Sequence, residues 1–324
     1  MTSIVYIIPY FGTFPPLFRV WLESCKRNPS VTWLIFTDDE TPYDYPDNVH
    51  VEICSFDEIR AKIQAAFTFP VNLSSPYKLC DYKVAYGRIF AEYIKGYDYW
   101  GFCDIDLIWG TIRDFYTEDV FSNFDKIGYQ GHSTLFRNNQ YINNLFLEEV
   151  DGETFESLVK SDRNEFIDED FINRLFEAKG IQIYKEPVFA NLSSFVYNFK
   201  INHLRAIDKP KNKYFIFSYD DGKLQRLSVV RNKIYNDSFL YVHFLKREID
   251  IKIKPESDKY LIVPNKLITY ETPTVNFIKK ANQPHAISFA IRHFRENAYK
   301  LNIHTICPIF WRKVKGYYRL FVKC

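Results

Sequence analysis

The stretch Tyr97-Asp-Tyr-Trp-Gly-Phe-Cys-Asp-Ile-Asp-Leu-Ile-Trp-Gly110 decides how the rest of the chain is read. Tyr99 to Cys103 is short, aromatic and apolar, the composition of a buried strand. Two carboxylates, Asp104 and Asp106, follow at once. Alternate residues of an extended chain face the same way, so both acids can converge on one point while Ile105 packs behind them. Hard divalent cations such as Mn²⁺ or Mg²⁺ take oxygen ligands of this kind and share them with phosphates. In an open α/β sheet the carboxyl end of a strand is also where ligands bind. Two solvated acids in a turn would have the same spacing, so the surroundings carry the argument.

Those surroundings begin with the apolar run Ile4 to Pro9, a first strand that closes in Pro9-Tyr-Phe-Gly12. Leu17 to Cys25 has apolar residues at helical spacing. Thr32 to Thr37 reads as a second buried strand and ends in Asp38-Asp-Glu40, so the opening is a βαβ unit with acids at its tip. Val49 to Cys54 reads as a third strand and Phe56 to Phe67 as a helix. Tyr77 to Lys95 reads as an amphipathic helix that delivers the chain into the central strand, with Asp81, Lys83 and Arg88 on its polar face.

Beyond the acids, Lys126 to Arg137 reads as strand, turn and strand, with Gly131, His132 and Ser133 in a pocket wall. Phe166 to Gly180 carries Asp168, Glu169 and Asp170 in its first turn and a glycine at its stop, the signals of a helix. Three acids exceed what capping requires. Ile181 to Tyr184 and Ser194 to Phe199 read as strands. Lys213 to Ser218 and Leu224 to Leu227 read as a hairpin turning at Asp220-Asp-Gly222. Phe239 to Arg247 reads as a strand bearing His243, with Lys246 and Arg247 close behind it for metal and phosphate contact.

The composition, 47% hydrophobic and 25% charged over 324 residues, is that of a folded globular chain with room for a substantial core. Six scattered cysteines without a Cys-x-x-Cys pair are expected to be reduced thiols in a cytosolic protein. The first residues are expected to form a strand and not a signal peptide, and no stretch reaches the length expected of a membrane span. There is no Gly-Lys-Ser phosphate loop and no Gly-x-Gly-x-x-Gly, which leaves ATP and NAD chemistry without support.

In this order the features resemble the nucleotide-diphospho-sugar glycosyltransferases of the GT-A fold, particularly bacterial enzymes of capsule and surface polysaccharide synthesis. The likeness spans roughly residues 3 to 247. It implies an α/β fold with a Rossmann-like mixed sheet flanked by helices. The catalytic domain would cover residues 1–250, with a nucleotide-sugar half to about 110 and an acceptor half from 111. It implies that Asp104, Asp106 and His243 hold Mn²⁺ or Mg²⁺ against the donor diphosphate. Pro9, Tyr10, Phe11 and Asp38 would cradle uracil and ribose of a UDP-sugar. Lys83, Arg88, Ile105, Lys246 and Arg247 join that donor-binding set. Asp168, Glu169 and Asp170 would position or deprotonate the hydroxyl of a glycan or lipid-linked acceptor, with His132 in the acceptor site. Retention or inversion stays open, as does which of the three acids faces the acceptor.

Residues 251–324 are expected to form a C-terminal extension, basic and aromatic. From Phe277 to Cys324 there are ten lysines and arginines against one acid, Glu296. Helical spacing from Gln283 to Leu301 and the acid-free stretch Ile309 to Lys323 fit docking on an anionic membrane, which would place the enzyme on the inner face of the cell membrane. Nucleic acid is not an expected partner. Two other readings compete with the transferase. One is a haloacid-dehalogenase-like phosphotransferase, in which Asp104 is the nucleophile and Asp220-Asp221 supply the later acids. The other is a non-catalytic, membrane-associated sugar-nucleotide-binding scaffold.

Overall fold

The computed structural model describes residues 1–194, 197–202 and 214–283. Eight strands open the chain: β1 (Ile4–Pro9), β2 (Val31–Thr37), β3 (Val49–Ile53), β4 (Tyr99–Cys103), β5 (Leu107–Trp109), β6 (Lys126–Gln130), β7 (Ser133–Arg137) and β8 (Ile183–Tyr184). Seven of them form a mixed sheet in the order β3-β2-β1-β4-β7-β6-β8. β1, β2, β3 and β4 run parallel, and β7 turns antiparallel against β4. Helices α1 (Phe18–Lys26) and α2 (Phe56–Ala65) make the crossovers. Ser55 caps α2 with a reciprocal bond to Glu58, a capping box that fixes its start.

Period-two alternation explains the burial of the sheet on both faces. Ile4, Tyr6 and Ile8 enter one core with Trp21 and Trp33, while Val5 and Ile7 enter the other with Phe36, Tyr82 and Trp100. Wholly apolar strands of this kind belong in a sheet covered on both sides. The order of the first strands places the reversal of direction between β1 and β4. These two are paired only from Ile4/Tyr99 to Tyr6/Gly101 and part beyond that point. β1 continues beside β2 to Pro9, and β4 continues beside β7 to Cys103. The crevice that opens between their carboxyl ends is where an open α/β sheet binds ligands.

Two further sheets follow, built from β5 with β9 (Ala190–Leu192), β10 (Ile201–Asn202), β11 (Phe215–Asp220), β12 (Lys223–Val230), β13 (Lys233–Ser238), β14 (Tyr241–His243), β15 (Asp250–Lys252), β16 (Lys259–Val263) and β17 (Lys266–Thr269). The order β10-β9-β14-β5 makes a four-stranded sheet, and β13-β12-β11-β16-β17-β15 a six-stranded one. The hairpin expected at Asp220-Asp-Gly222 is present between β11 and β12, with Asp221 and Gly222 both at positive φ. The chain is thus a mixed α/β protein whose mixed sheets are flanked by helices. Among the described residues no helix is long and apolar enough to cross a membrane. Cys25, Cys54, Cys80 and Cys103 are free thiols.

Several expectations need correction. Tyr77 to Lys95 is not one amphipathic helix. Residues Pro76–Ala85 wind as a 3₁₀ helix, and a single α-turn, Tyr86–Ile89, follows. The tighter winding eclipses side chains three apart, which sets Lys78 directly over Asp81 in an ion pair of 2.6 Å. Asp81 is therefore fully buried and not on a solvated face. In the α-turn, Gly87 lies against the Trp100 indole so closely that a Cβ there would come within 2.4 Å of the ring. The strand expected at Ser194 to Phe199 is displaced: the pairing residues on either side are Ala190–Leu192 and Ile201–Asn202, 197 and 198 lie in bends, and 195 and 196 lie outside the described residues. The expected division at residue 250 falls within a continuous sheet, because β16 pairs with β11. The basic stretch from residue 284 onward lies outside the described residues.

Candidate divalent-cation site

The site assembles at the parting of β1 and β4, from segments that the second sheet draws together. β5 begins one residue after Asp106 and pairs with β14, which sets His243 opposite Leu107. β9 pairs with the other side of β14, which sets Asn191 opposite His243. His243 Nε2 is 3.1 Å from Asp106 Oδ1 and 3.7 Å from Asp104 Oδ2. One ligand atom from each of the three residues lies within 4.8 Å of the others. Ile105 is buried behind the acids, as the alternation requires. Two carboxylate oxygens and an imidazole nitrogen suit a divalent cation such as Mn²⁺.

The groups around this cluster fit that use. Asn191 Oδ1 accepts from His243 Nδ1 at 3.1 Å, which leaves Nε2 as the ligand atom. Burial lowers the affinity of His243 for a proton, but Asp106 more than offsets it and its pKa is raised. For Asp106, burial acts upward, yet the charge and hydrogen bond of His243 and the Lys246 amide hold its pKa down to about 2. His243 thus faces the carboxylate charge that a cation there would neutralise. Beneath it His132 is buried with its ring 4.4 Å from that of His243 and its Nδ1 2.8 Å from the Tyr241 hydroxyl. His132 therefore supports His243 from the protein side.

A tight turn, Phe244 to Arg247, closes the site from above. Leu245 and Lys246 both have positive φ, and the Arg247 amide donates to Phe244 O at 3.0 Å. The turn aims the Lys246 amide at Asp106 Oδ2, 3.0 Å away, and leaves its ammonium exposed, donating to the Tyr77 hydroxyl at 2.9 Å. The same turn sends Arg247 inward. Its guanidinium is buried, held by Ser193 O, Tyr197 O and Asn265 Oδ1, and burial depresses its pKa to about 10. The Arg247 guanidinium is thus engaged by oxygens of the fold itself.

Lys83 and the acidic turn form the opposite wall. The Lys83 ammonium donates to Asp104 Oδ1 at 2.9 Å and Gly131 O at 2.7 Å, and lies 3.4 Å from Asp168 Oδ2. Burial disfavours its charge, but Asp104 and its neighbours outweigh that and hold the pKa well above normal. Asp168 is buried in the π-turn Ile167–Phe171, and that burial pushes its pKa up to about 6 against the pull of Lys83. Gly131 is required here, since a Cβ would fall 2.4 Å from Asp168 Oδ2. Of the three expected acids only Asp168 points at the cluster. Glu169 accepts from the Gly131 amide at 2.9 Å, and Asp170 turns outward to Arg174 at 3.2 Å, one helical turn on.

The remaining candidates divide. Asp38 accepts from the Gly12 amide at 2.7 Å and Asp39 from the Phe14 amide at 2.8 Å, so the two acids fix the Pro9-Tyr10-Phe11 loop at the end of β1. Tyr10 stacks on Phe14, and its hydroxyl feels Asp106, which together with burial raises its pKa. Arg88 does not reach the cluster. With Gly87 packed on Trp100, the next side chain faces the end of α2, where it donates to Ala66 O and Asn144 Oδ1. Asp220 and Asp221 pair with Lys259 and Arg27 and contribute nothing here, which removes the acids that the phosphotransferase reading needs. Asn191 and Tyr77 were not read from the sequence. Asn191 lies in a three-residue strand whose partners are distant in sequence, and Tyr77 is one aromatic among many.

The fold and site define a mixed α/β protein with a candidate divalent-cation centre at the carboxyl ends of its parallel strands. The chain belongs to a family of unknown function, DUF6625, whose pattern matches residues 6–271. No curated protein matches the chain. The matched span contains Asp104, Asp106, Asp168 and His243.

Proposed function

We propose that this protein is a metal-dependent glycosyltransferase of the GT-A type. It would move a hexose from a nucleotide-diphospho-sugar, a UDP-sugar in the first instance, to a glycan or lipid-linked acceptor in surface polysaccharide synthesis. The observation that carries the reading is the convergence of Asp104, Asp106 and His243 within 4.8 Å at the carboxyl ends of β1 and β4. A divalent cation held there supplies charge neutralisation for a departing nucleoside diphosphate.

The chain's own residues do the rest. Asn191 holds the His243 ring in one tautomer. The Lys246 ammonium stands at the rim as a phosphate contact, while its amide fixes Asp106. The Tyr10-Phe11 loop, tied down by Asp38, offers an aromatic wall for a base. Burial raises the Asp168 pKa to about 6, so it is more basic than an ordinary carboxylate, the property a general base needs. In an inverting reaction it takes the acceptor proton, and in a retaining one it orients the acceptor.

The test is a screen of nucleotide sugars for slow Mn²⁺-dependent hydrolysis. One donor should release its nucleoside diphosphate, and Asp104→Asn and Asp106→Asn should each lower the rate by about 100-fold or more. Release of inorganic phosphate without nucleoside diphosphate would favour the phosphotransferase. Absence of turnover with metal-dependent nucleotide binding retained would favour the scaffold.

A further inference from the structure

We propose that the Lys83 ammonium fills the place of a second divalent cation between Asp104 and Asp168, so that the centre is built for one metal ion plus one fixed organic cation. The inference rests on the metal reading of the site and deepens it. Asp104 divides its carboxylate: Oδ2 faces His243 Nε2 at 3.7 Å, and Oδ1 accepts from Lys83 at 2.9 Å. In two-metal centres the ions stand about 3.5–4 Å apart on either side of shared ligands. Asp104 has the position of such a shared ligand, with an ammonium on one side in place of an ion.

The surroundings of Lys83 Nζ resemble a cation shell. Three oxygens surround it: Asp104 Oδ1 at 2.9 Å and Gly131 O at 2.7 Å accept hydrogen bonds, and Asp168 Oδ2 lies at ion-pair distance, 3.4 Å. Two carboxylates and a backbone carbonyl form an oxygen donor set of the kind hard divalent cations take. The pocket is preformed, because Gly131 leaves the room that Asp168 occupies and the Lys83 side chain is only 11% exposed. The charges decide between one ion and two. Three carboxylates, Asp104, Asp106 and Asp168, are matched by one ammonium and one divalent ion. A second ion beside the lysine would leave the pocket with excess positive charge in a half-dry setting. A lysine also cannot be lost to a chelator, so the Asp168 wall keeps its cation whether or not the metal is bound.

The experiment counts Mn²⁺ bound to the full chain at pH 7.5, with free Mn²⁺ followed by electron paramagnetic resonance. Wild type is expected to bind one ion and Lys83→Met two, with spin–spin broadening from the close pair. Lys83→Met/Asp168→Asn, which removes the lysine together with the more buried of its two carboxylate partners, is expected to return to one. Two ions on wild type would overturn the proposal outright, whatever the variants do. It is equally overturned if Lys83→Met binds one ion with unchanged affinity. If that single ion is lost in Asp106→Asn, the metal reading of the site survives the failure. Wild type that binds no Mn²⁺ would remove both.

Discussion

Lys126 shows how far a single residue here departs from its ordinary chemistry. It is fully buried at the start of β6, its ammonium donating to Gly128 O at 2.6 Å and Asn173 Oδ1 at 2.8 Å, and burial drives its pKa down to about 7. The unfolded chain holds this proton to about pH 10.4, so between these values the unfolded state binds more protons. Stability from this position must then rise with pH above about 7, by up to about 1.4 kcal/mol per unit. Denaturation of wild type and Lys126→Met at pH 7.5 and 9.5 measures it: the wild type should gain relative to the variant, and parallel curves would refute the assignment. The candidate cation ligands were legible in the sequence because Asp104 and Asp106 follow a strongly apolar strand and His243 precedes two cations. Asn191 and the role of Lys83 were not, since each depends on a partner that only the fold brings near.

At the scale of elements, the 3₁₀ segment Pro76–Ala85 does more than connect. Its buried Lys78–Asp81 pair grips the loop ahead of the acidic turn: Asp81 accepts from the Glu165 amide at 3.0 Å, and Lys78 donates to Arg163 O. The segment that carries Lys83 is thereby tied to the turn that carries Asp168. Asp81→Asn leaves Lys78 without its counter-charge and should cost about 3–5 kcal/mol in urea unfolding. Lys78→Met/Asp81→Leu should cost less than the sum of the single substitutions, because the pair is coupled. Apolar residues at helical spacing suggested one long α-helix here, and they fit a 3₁₀ turn followed by an α-turn equally well. β13 escaped notice for another reason. Lys233–Ser238 is exposed along its whole length and has no apolar alternation to betray it.

For the whole molecule, three sheets share one continuous chain, and the six-stranded sheet runs through the boundary that the family resemblance implied near residue 250. What composition separated was charge. Beyond Gln283 the chain has eight lysines and arginines and one acid, Glu296. We predict that the full chain sediments with anionic vesicles and not with neutral ones, at about 1 kcal/mol per basic residue engaged. A chain ending at Gln283, which keeps the helix Val275–Ala281, should stay in the supernatant. Its retention on the vesicles would refute membrane docking by the tail.

The pairing of β5 with β14 carries one more consequence. It joins the segment just after β4 to a strand more than a hundred residues later in sequence, so Asp106 and His243 meet only when these distant segments pair. An ion bridging them would close a very long loop, and such closure is paid for mainly in chain entropy. A partly folded chain would therefore lack the paired Asp106 and His243 on which the proposed cation centre depends. On the proposed metal reading, tight Mn²⁺ binding would then require the ordered fold and would be lost when β5 and β14 part.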